Sequence, residues 1–192
     1  AFLTPQQYVE TFRAFARALR EVNPDYVICA IGAMPAVGIL TGSLPHTDWN
    51  HVVIAGCADA MDCLALHNAY APVATVGPDG RHRPIEQAYR AMLGAAVAVR
   101  WSTEQVLKLI RAIAPERADH ITLAITEHEA LWYPLPGADA MEIVRQNRTL
   151  GSAVYLATLY NFFISEPKIA FAHKMTFITP IFGGVMNTTL QP

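Results

Sequence analysis

Ile121-Thr122-Leu123-Ala124-Ile125-Thr126-Glu127-His128-Glu129 is the stretch that decides how this chain folds. An apolar run of strand length, rich in β-branched residues, stops abruptly in charge. Two similar runs precede it. Tyr26 to Ile31 is closed by Gly32, and Met61 to Leu66 ends in His67-Asn68-Ala69-Tyr70. A fourth run, Lys168 to Ala172, follows. Strands that are apolar on both faces are covered on both sides, as parallel sheets are.

Helical patterns fill the spaces between these runs. Thr4-Pro5-Gln6-Gln7 reads as an N-cap, a proline at the first helical position and a polar first turn. Tyr8, Phe12, Phe15, Ala16 and Leu19 then recur at helical spacing, and Asn23-Pro24 ends the segment. A loop rich in glycine and proline runs from Gly32 to Pro45. Thr47-Asp48 caps a helix expected from Trp49 to about Ala58. After a Gly77-Pro78-Asp79-Gly80 loop, Pro84 opens a helix with Ala88, Met92, Ala95, Ala96 and Val99 on one side. Ser102-Thr103-Glu104 reads as the start of another, carrying Val106, Leu109, Ile110 and Ile113. Ala140 to Phe163 reads as one long helix.

Helix, buried strand, polar loop, repeated, is the rhythm of a parallel α/β fold, either a barrel or an open doubly wound sheet. No GxGxxG or GxxxxGK follows any strand, which disfavours a nucleotide-binding sheet. His67, Asn68, Tyr70, Glu127 and Glu129 gather just after strands. In a (β/α)8 barrel that is the C-terminal face, where active sites sit.

Composition narrows the function classes. The 192 residues are 53% hydrophobic and only 16% charged, with a net charge of −2. That apolar content excludes a disordered tail, and the charge excludes a broad basic face for nucleic acid. Charge this sparse implies that other protein covers part of the surface. No run approaches the roughly 20 apolar residues of a spanning helix, so no membrane is expected. Ala91 to Val99 stops at Arg100, and Gly151 to Ile164 is broken by Thr158 and Asn161. No signal peptide opens the chain, and without an initiator Met it is expected to start partway through a protein. Cys29, Cys57 and Cys63 are too few for a disulfide scaffold. With His67 they match no zinc spacing, so they read as small buried hydrophobes and no metal is expected.

Glu127 is the strongest candidate for chemistry. Strand side chains alternate, so Glu127 and Glu129 would face the same way, with His128 opposite. Two carboxylates near Trp132 and Tyr133 point to sugar chemistry, because aromatic faces stack on sugar rings and carboxylates act as acid, base or nucleophile. The alternative is a pair of solvated loop glutamates. His67 and Tyr70, at the preceding strand end, could hold such a carboxylate ionised. A strand-end histidine satisfied by its neighbours is the competing reading. Trp49 reads as helix packing. His46, His51, His82 and His120 carry no recognisable spacing, whereas His173 could reach the site from the fourth strand.

In order along the chain, these segments resemble the catalytic barrel of the family 51 glycoside hydrolases, the α-L-arabinofuranosidases and their relatives. Thr4-Pro5-Gln6-Gln7-Tyr8 through Val22-Asn23-Pro24 resembles the helix after that family's fourth strand. Asp48-Trp49-Asn50 resembles the helix start before its sixth. Met61-Asp62-Cys63-Leu64-Ala65-Leu66-His67 is similar to its Ser-Leu-His-aromatic-Tyr strand. Leu123-Ala124-Ile125-Thr126-Glu127 with Trp132-Tyr133 resembles the Asp-Glu-Trp-Asn-x-Trp-Tyr segment that holds the nucleophile. Ala138 to Ile181 resembles the last helix and strand.

The resemblance implies an α/β fold, a (β/α)8 TIM barrel, of which residues 1–192 supply roughly the last four β/α units. It implies a retaining glycosidase acting on α-L-arabinofuranosyl linkages, with Glu127 as nucleophile. His67, Asn68, Tyr70, Glu129, Trp132 and His173 are the implied substrate contacts. The family's acid/base, in an Asn-Glu pair, would lie before Ala1, and no Asn-Glu occurs here. Thr126 stands where the family often has Asp, His128-Glu129 replaces Trp-Asn, and His173 stands where Gln contacts the sugar. An endo-β-glucanase or xylan-active relative is the alternative enzyme, and an inactive carbohydrate-binding or scaffold fragment the alternative of another class. No cofactor is implied. The expected partners are an oligosaccharide or polysaccharide, the missing half of the barrel and, in one arrangement, a second copy.

Overall fold

A computed structural model of the chain describes residues 3–34, 48–67, 69–73, 85–132 and 148–175. Helix α1, Pro5–Val22, begins with a reciprocal cap. The Gln7 amide donates to the Thr4 hydroxyl at 3.2 Å, and the Gln7 side chain accepts from the Thr4 amide at 2.9 Å. The helix buries Phe12 and Ala16. Among the described residues, three more helices follow: α2 (Trp49–Cys57), α3 (Ile85–Ile113) and α4 (Leu150–Ser165).

The strands are β1 (Cys29–Gly32), β2 (Cys63–Leu66), β3 (Ala69–Val73), β4 (Thr122–Trp132) and β5 (Ile169–Lys174). Every pairing is parallel. β2 lies between β1 and β4, and β5 pairs with the other side of β4. β3 prolongs β2, because Leu66 faces Ile125 and Ala69 faces His128, three residues further along both strands. The sheet is thus four parallel strands in chain order, with a helix-bearing connection between neighbours. This is part of a (β/α)8 barrel rather than an open sheet that reverses direction.

Alternation along the strands sorts the core. Leu64, Leu66, Leu123 and Ile125 pack with Val53, Ile54, Met92, Ile110, Tyr155 and Leu159 from the helices. The small residues Cys63, Ala65 and Ala124, with Cys29 beside them, form a separate cluster on the other face. All three cysteines are free thiols, with Cys57 and Cys63 fully buried.

The N-terminal ends of the strands are fastened by polar ties. Asp62 accepts from Arg20 at 2.6 Å and from the Ile28 amide at 2.9 Å. Arg117 donates to the carbonyls of Ala58 and Met61, and Lys168 to those of Ala118 and Asp119. Such ties leave the opposite end of the sheet for chemistry.

Several sequence expectations are corrected. Ser102 and Thr103 do not start a new helix, and α3 runs through them unbroken. Both are buried, and Thr103 donates its hydroxyl to the Val99 carbonyl one turn back, which satisfies it inside a helix. The last helix does not run through Arg148 and Thr149. It starts at Leu150, where the Thr149 hydroxyl accepts from the Ser152 amide at 3.3 Å. β1 starts at Cys29 rather than Tyr26, since pairing with β2 begins there. β4 continues through Glu127 to Trp132, because β3 supplies it with a partner. The loops from Pro35 to Pro45 and from Gly77 to Gly80 lie outside the described residues. No helix among the described residues is long and apolar enough to cross a membrane.

Two glycines make opposite predictions. A Cβ on Gly56 in α2 would meet the Val9 Cγ1 of α1 at 2.5 Å, and Val9 is stiff at χ1. Gly94 in α3 has nothing within 4 Å of the same atom. Alanine in a helix gains roughly 0.5–1 kcal/mol over glycine, whereas forcing a methyl into packed structure costs about 1–3 kcal/mol. Gly94→Ala should therefore raise the urea midpoint and Gly56→Ala should lower it. Equal shifts of one sign would mean that α1 and α2 do not approach this closely.

Candidate active site

The register between β4 and β5 shifts twice, first between Leu123 and Ala124 and again between Ile125 and His128, and the candidate residues sit at the second shift. Between Ile125 and His128, β4 advances three residues while β5 advances two, from Ala172 to Lys174. The extra residue lies on β4, at Thr126 or Glu127. On its other side, β2 ends at Leu66 and β3 begins at Ala69, in one constant register with β4. Bulges of this kind re-aim side chains and are common beside active sites.

The distortion brings His67 and Glu127 together from neighbouring strands. His67 Nε2 lies 3.3 Å from Glu127 Oε2, with side chains 48% and 36% exposed. His67 Nδ1 lies 3.0 Å from the Thr126 hydroxyl, which reaches the Leu66 carbonyl at 3.4 Å. A hydroxyl has one proton to give, so donation to Leu66 leaves the Thr126 oxygen to accept from Nδ1–H. The ring is then held with Nε2 toward the carboxylate, and a protonated Nε2 donates to it. Thr126 thereby performs for His67 what an acidic residue in its place would do with charge.

The residues that follow are buried. His128 is fully buried, edge-on to Tyr160 at 5.2 Å and to Phe163 at 5.3 Å, both from α4. Neither ring nitrogen makes a well-formed hydrogen bond. Burial first, then the Lys174 charge, pushes its pKa down to about 4, and the His173 backbone offsets only part of this. Glu129 is also buried, at 1% exposed. Its Oε1 accepts from the Ala130 amide at 2.9 Å, and its Oε2 accepts from Lys174. Burial raises its carboxyl, opposed by that lysine. Glu127 and Glu129 therefore differ in accessibility, the first partly exposed beside His67 and the second buried with Lys174.

His173 is exposed on β5, its ring stacked on Phe171 at 4.8 Å. The Tyr70 backbone pairs opposite Glu129 and that of Trp132 opposite Val73. The side chains of Tyr70 and Trp132, and all of Asn68 and Tyr133, lie outside the described residues. Trp49 packs on Tyr8 and donates to the Ile31 carbonyl. Lys174 was not singled out from sequence; the signal was a lysine ending an apolar strand, where a buried carboxylate must find a partner. No group of three His, Cys, Asp or Glu residues placed to hold a metal occurs among the described residues.

Solved structures share this fold. The chain superposes on the family 51 arabinofuranosidase from Xanthomonas axonopodis pv. citri with a TM-score of 0.69 and 15% identity, covering 95% of this chain and 35% of that one. It superposes on the α-L-arabinofuranosidase from Thermotoga maritima, solved with arabinose, with a TM-score of 0.65 and 14% identity, covering 94% and 31%. The family 44 endoglucanase Cel44A from Clostridium thermocellum gives 0.55 and 15%, covering 91% and 38%. By sequence, no family model and no curated protein matches. The fold is therefore that of part of a (β/α)8 barrel, shared with glycoside hydrolases. The chain spans about a third of the length of the arabinofuranosidases it resembles.

Proposed function

We propose that residues 1–192 are the later part of the catalytic barrel of a retaining glycoside hydrolase that cleaves α-L-arabinofuranosyl linkages of plant polysaccharides. The observation that carries this reading is the partly exposed Glu127 carboxylate, facing His67 beside the second register shift between β4 and β5. The surrounding fold superposes better on two arabinofuranosidases than on the endoglucanase.

In this reading a Glu127 oxygen attacks the anomeric carbon. The bond to the leaving oxygen breaks as a second carboxyl group protonates it, and a covalent glycosyl–enzyme forms. Water then attacks the same carbon, gives its proton to the second group and releases Glu127. A retaining site needs that second carboxyl about 5 Å from the first. Glu129 is a poor choice, being buried on the nucleophile's own strand and paired with Lys174. The acid/base is assigned to β/α units outside these residues. Exposed apolar side chains support further protein at both sheet edges: Val27 and Ile31 by β1, Leu150 and Ile164 on α4 near β5. His173, Tyr70, Asn68 and Trp132 remain the proposed sugar contacts, with no cofactor required.

Chromogenic arabinofuranosides, glucosides and xylosides given to the full chain test the reading. Arabinofuranoside turnover at least about tenfold faster in kcat/KM is expected. Preference for a glucosyl or xylosyl chain would favour the endo-acting alternative, and binding without turnover of any would favour the inactive scaffold.

A further inference from the structure

The buried pair between Glu129 and Lys174 has no place in the mechanism above. Glu129 is 1% exposed and Lys174 15%, with Nζ and Oε2 2.5 Å apart. Burying two charges costs several kcal/mol each, and their attraction often does no better than an apolar pair of equal volume. Such a pair is weak as a source of stability, and its best-attested use is to fix register. Its position suits that use. Lys174 faces His128 across the β4–β5 ladder, immediately after the shift that contains Glu127. The Met175 amide donates to the His128 carbonyl at 3.2 Å and closes the ladder there. Glu129 is itself held, through Oε1, by the Ala130 amide.

We infer that Glu129 and Lys174 are positioning residues: their buried ion pair locks β5 to β4 one residue past the bulge, and so fixes the direction in which Glu127 meets His67. On the β2 and β3 side the register of β4 is constant from Cys63–Thr122 to Val73–Trp132, so nothing on that side sets the bulge. The freedom lies on the β5 side, where the ion pair adds a directional side-chain contact to the hydrogen bond from the Met175 amide to the His128 carbonyl. An apolar pair would tolerate a slip of one strand along the other; a short charge-assisted contact does not. The same charges reach the surrounding aromatics. Glu129 raises the hydroxyl pKa of Tyr155 and Tyr160, after burial in both cases.

The catalytic consequence rests on the proposed role of Glu127, so the test reads geometry and turnover separately. Three variants of the full chain serve: Glu129→Gln, Lys174→Met, and the double Glu129→Leu/Lys174→Met. The double should fold with a thermal midpoint at or above that of the parent. In all three, kcat on an arabinofuranoside should fall about a hundredfold with KM within about threefold, the signature of a misplaced reacting group. Crystal structures of the variants should show the His128–Lys174 register slipped and the separation of His67 Nε2 from Glu127 Oε2 changed from 3.3 Å. A double variant with parental kcat, parental register and parental His67–Glu127 separation would overturn the inference, since packing alone would then suffice. Failure of all three to fold would also overturn it, by making the pair structural. Should the parent turn over no glycoside, the functional reading fails, while the register and the His67–Glu127 separation still decide this one.

Discussion

Glu127→Ala should lower kcat on an arabinofuranoside by at least about a thousandfold while leaving the thermal midpoint close to that of the parent. The two halves of this expectation have separate causes. On the proposed mechanism the Glu127 carboxylate is the nucleophile that forms the covalent intermediate, and alanine cannot take that role. Its stabilising role is small: the side chain is 36% exposed, and an exposed pair such as that with His67 contributes about 0–1 kcal/mol. Removing it also opens no core cavity. Azide supplies a further readout. It can occupy the space vacated by the side chain, attack the anomeric carbon and expel the leaving group, giving a glycosyl azide of inverted configuration. Rescue by azide assigns the loss to a missing nucleophile. Activity within about tenfold of the parent would assign the nucleophile elsewhere.

Acid should destabilise the fold through His128. Burial and Lys174 hold its folded pKa at about 4, against about 6.5 in an unfolded chain. Above pH 6.5 the ring is neutral in both states and contributes nothing to the pH dependence. Between pH 6.5 and 4 the unfolded chain takes up a proton that the folded one refuses, so stability falls as pH falls. The shift amounts to roughly 3 kcal/mol once pH is below 4. His128→Phe keeps an aromatic ring between Tyr160 and Phe163 and removes two buried polar nitrogens. Urea midpoints measured from pH 7.5 to 4 should therefore drop less steeply for this variant. Parallel curves would show that His128 is protonated in the fold or solvated there.

The fold was legible in the sequence where local chemistry and packing agree. Thr4-Pro5-Gln6-Gln7 carries its own cap, and the apolar runs at 61–66 and 121–125 lie in almost wholly buried strands, whereas the run at 168–172 forms a strand whose residues are exposed or half-buried, not the covered strand its composition implied. Legibility failed where tertiary contacts override a local signal. Ser102-Thr103-Glu104 looks like a helix start, but Thr103 is satisfied by a carbonyl one turn back. In the site, Glu127 and His67 stood out because polar residues end apolar runs. The pairing of Glu129 with Lys174 was hidden, because one extra residue between Ile125 and His128 shifts every later side chain, and no periodicity announces a bulge. Thr126 was visible only as a substitution for an acid; its hydrogen bonds to His67 and Leu66 give it a purpose.

The most direct test of the central claim is to trap the intermediate. The full chain is incubated with a 2-deoxy-2-fluoro-arabinofuranosyl donor bearing a good leaving group, then digested and sequenced by mass spectrometry. One glycosyl ester is expected, on Glu127, formed with loss of activity and absent from Glu127→Ala. Inactivation with the sugar attached to another residue, or unabated turnover with no adduct, would contradict it.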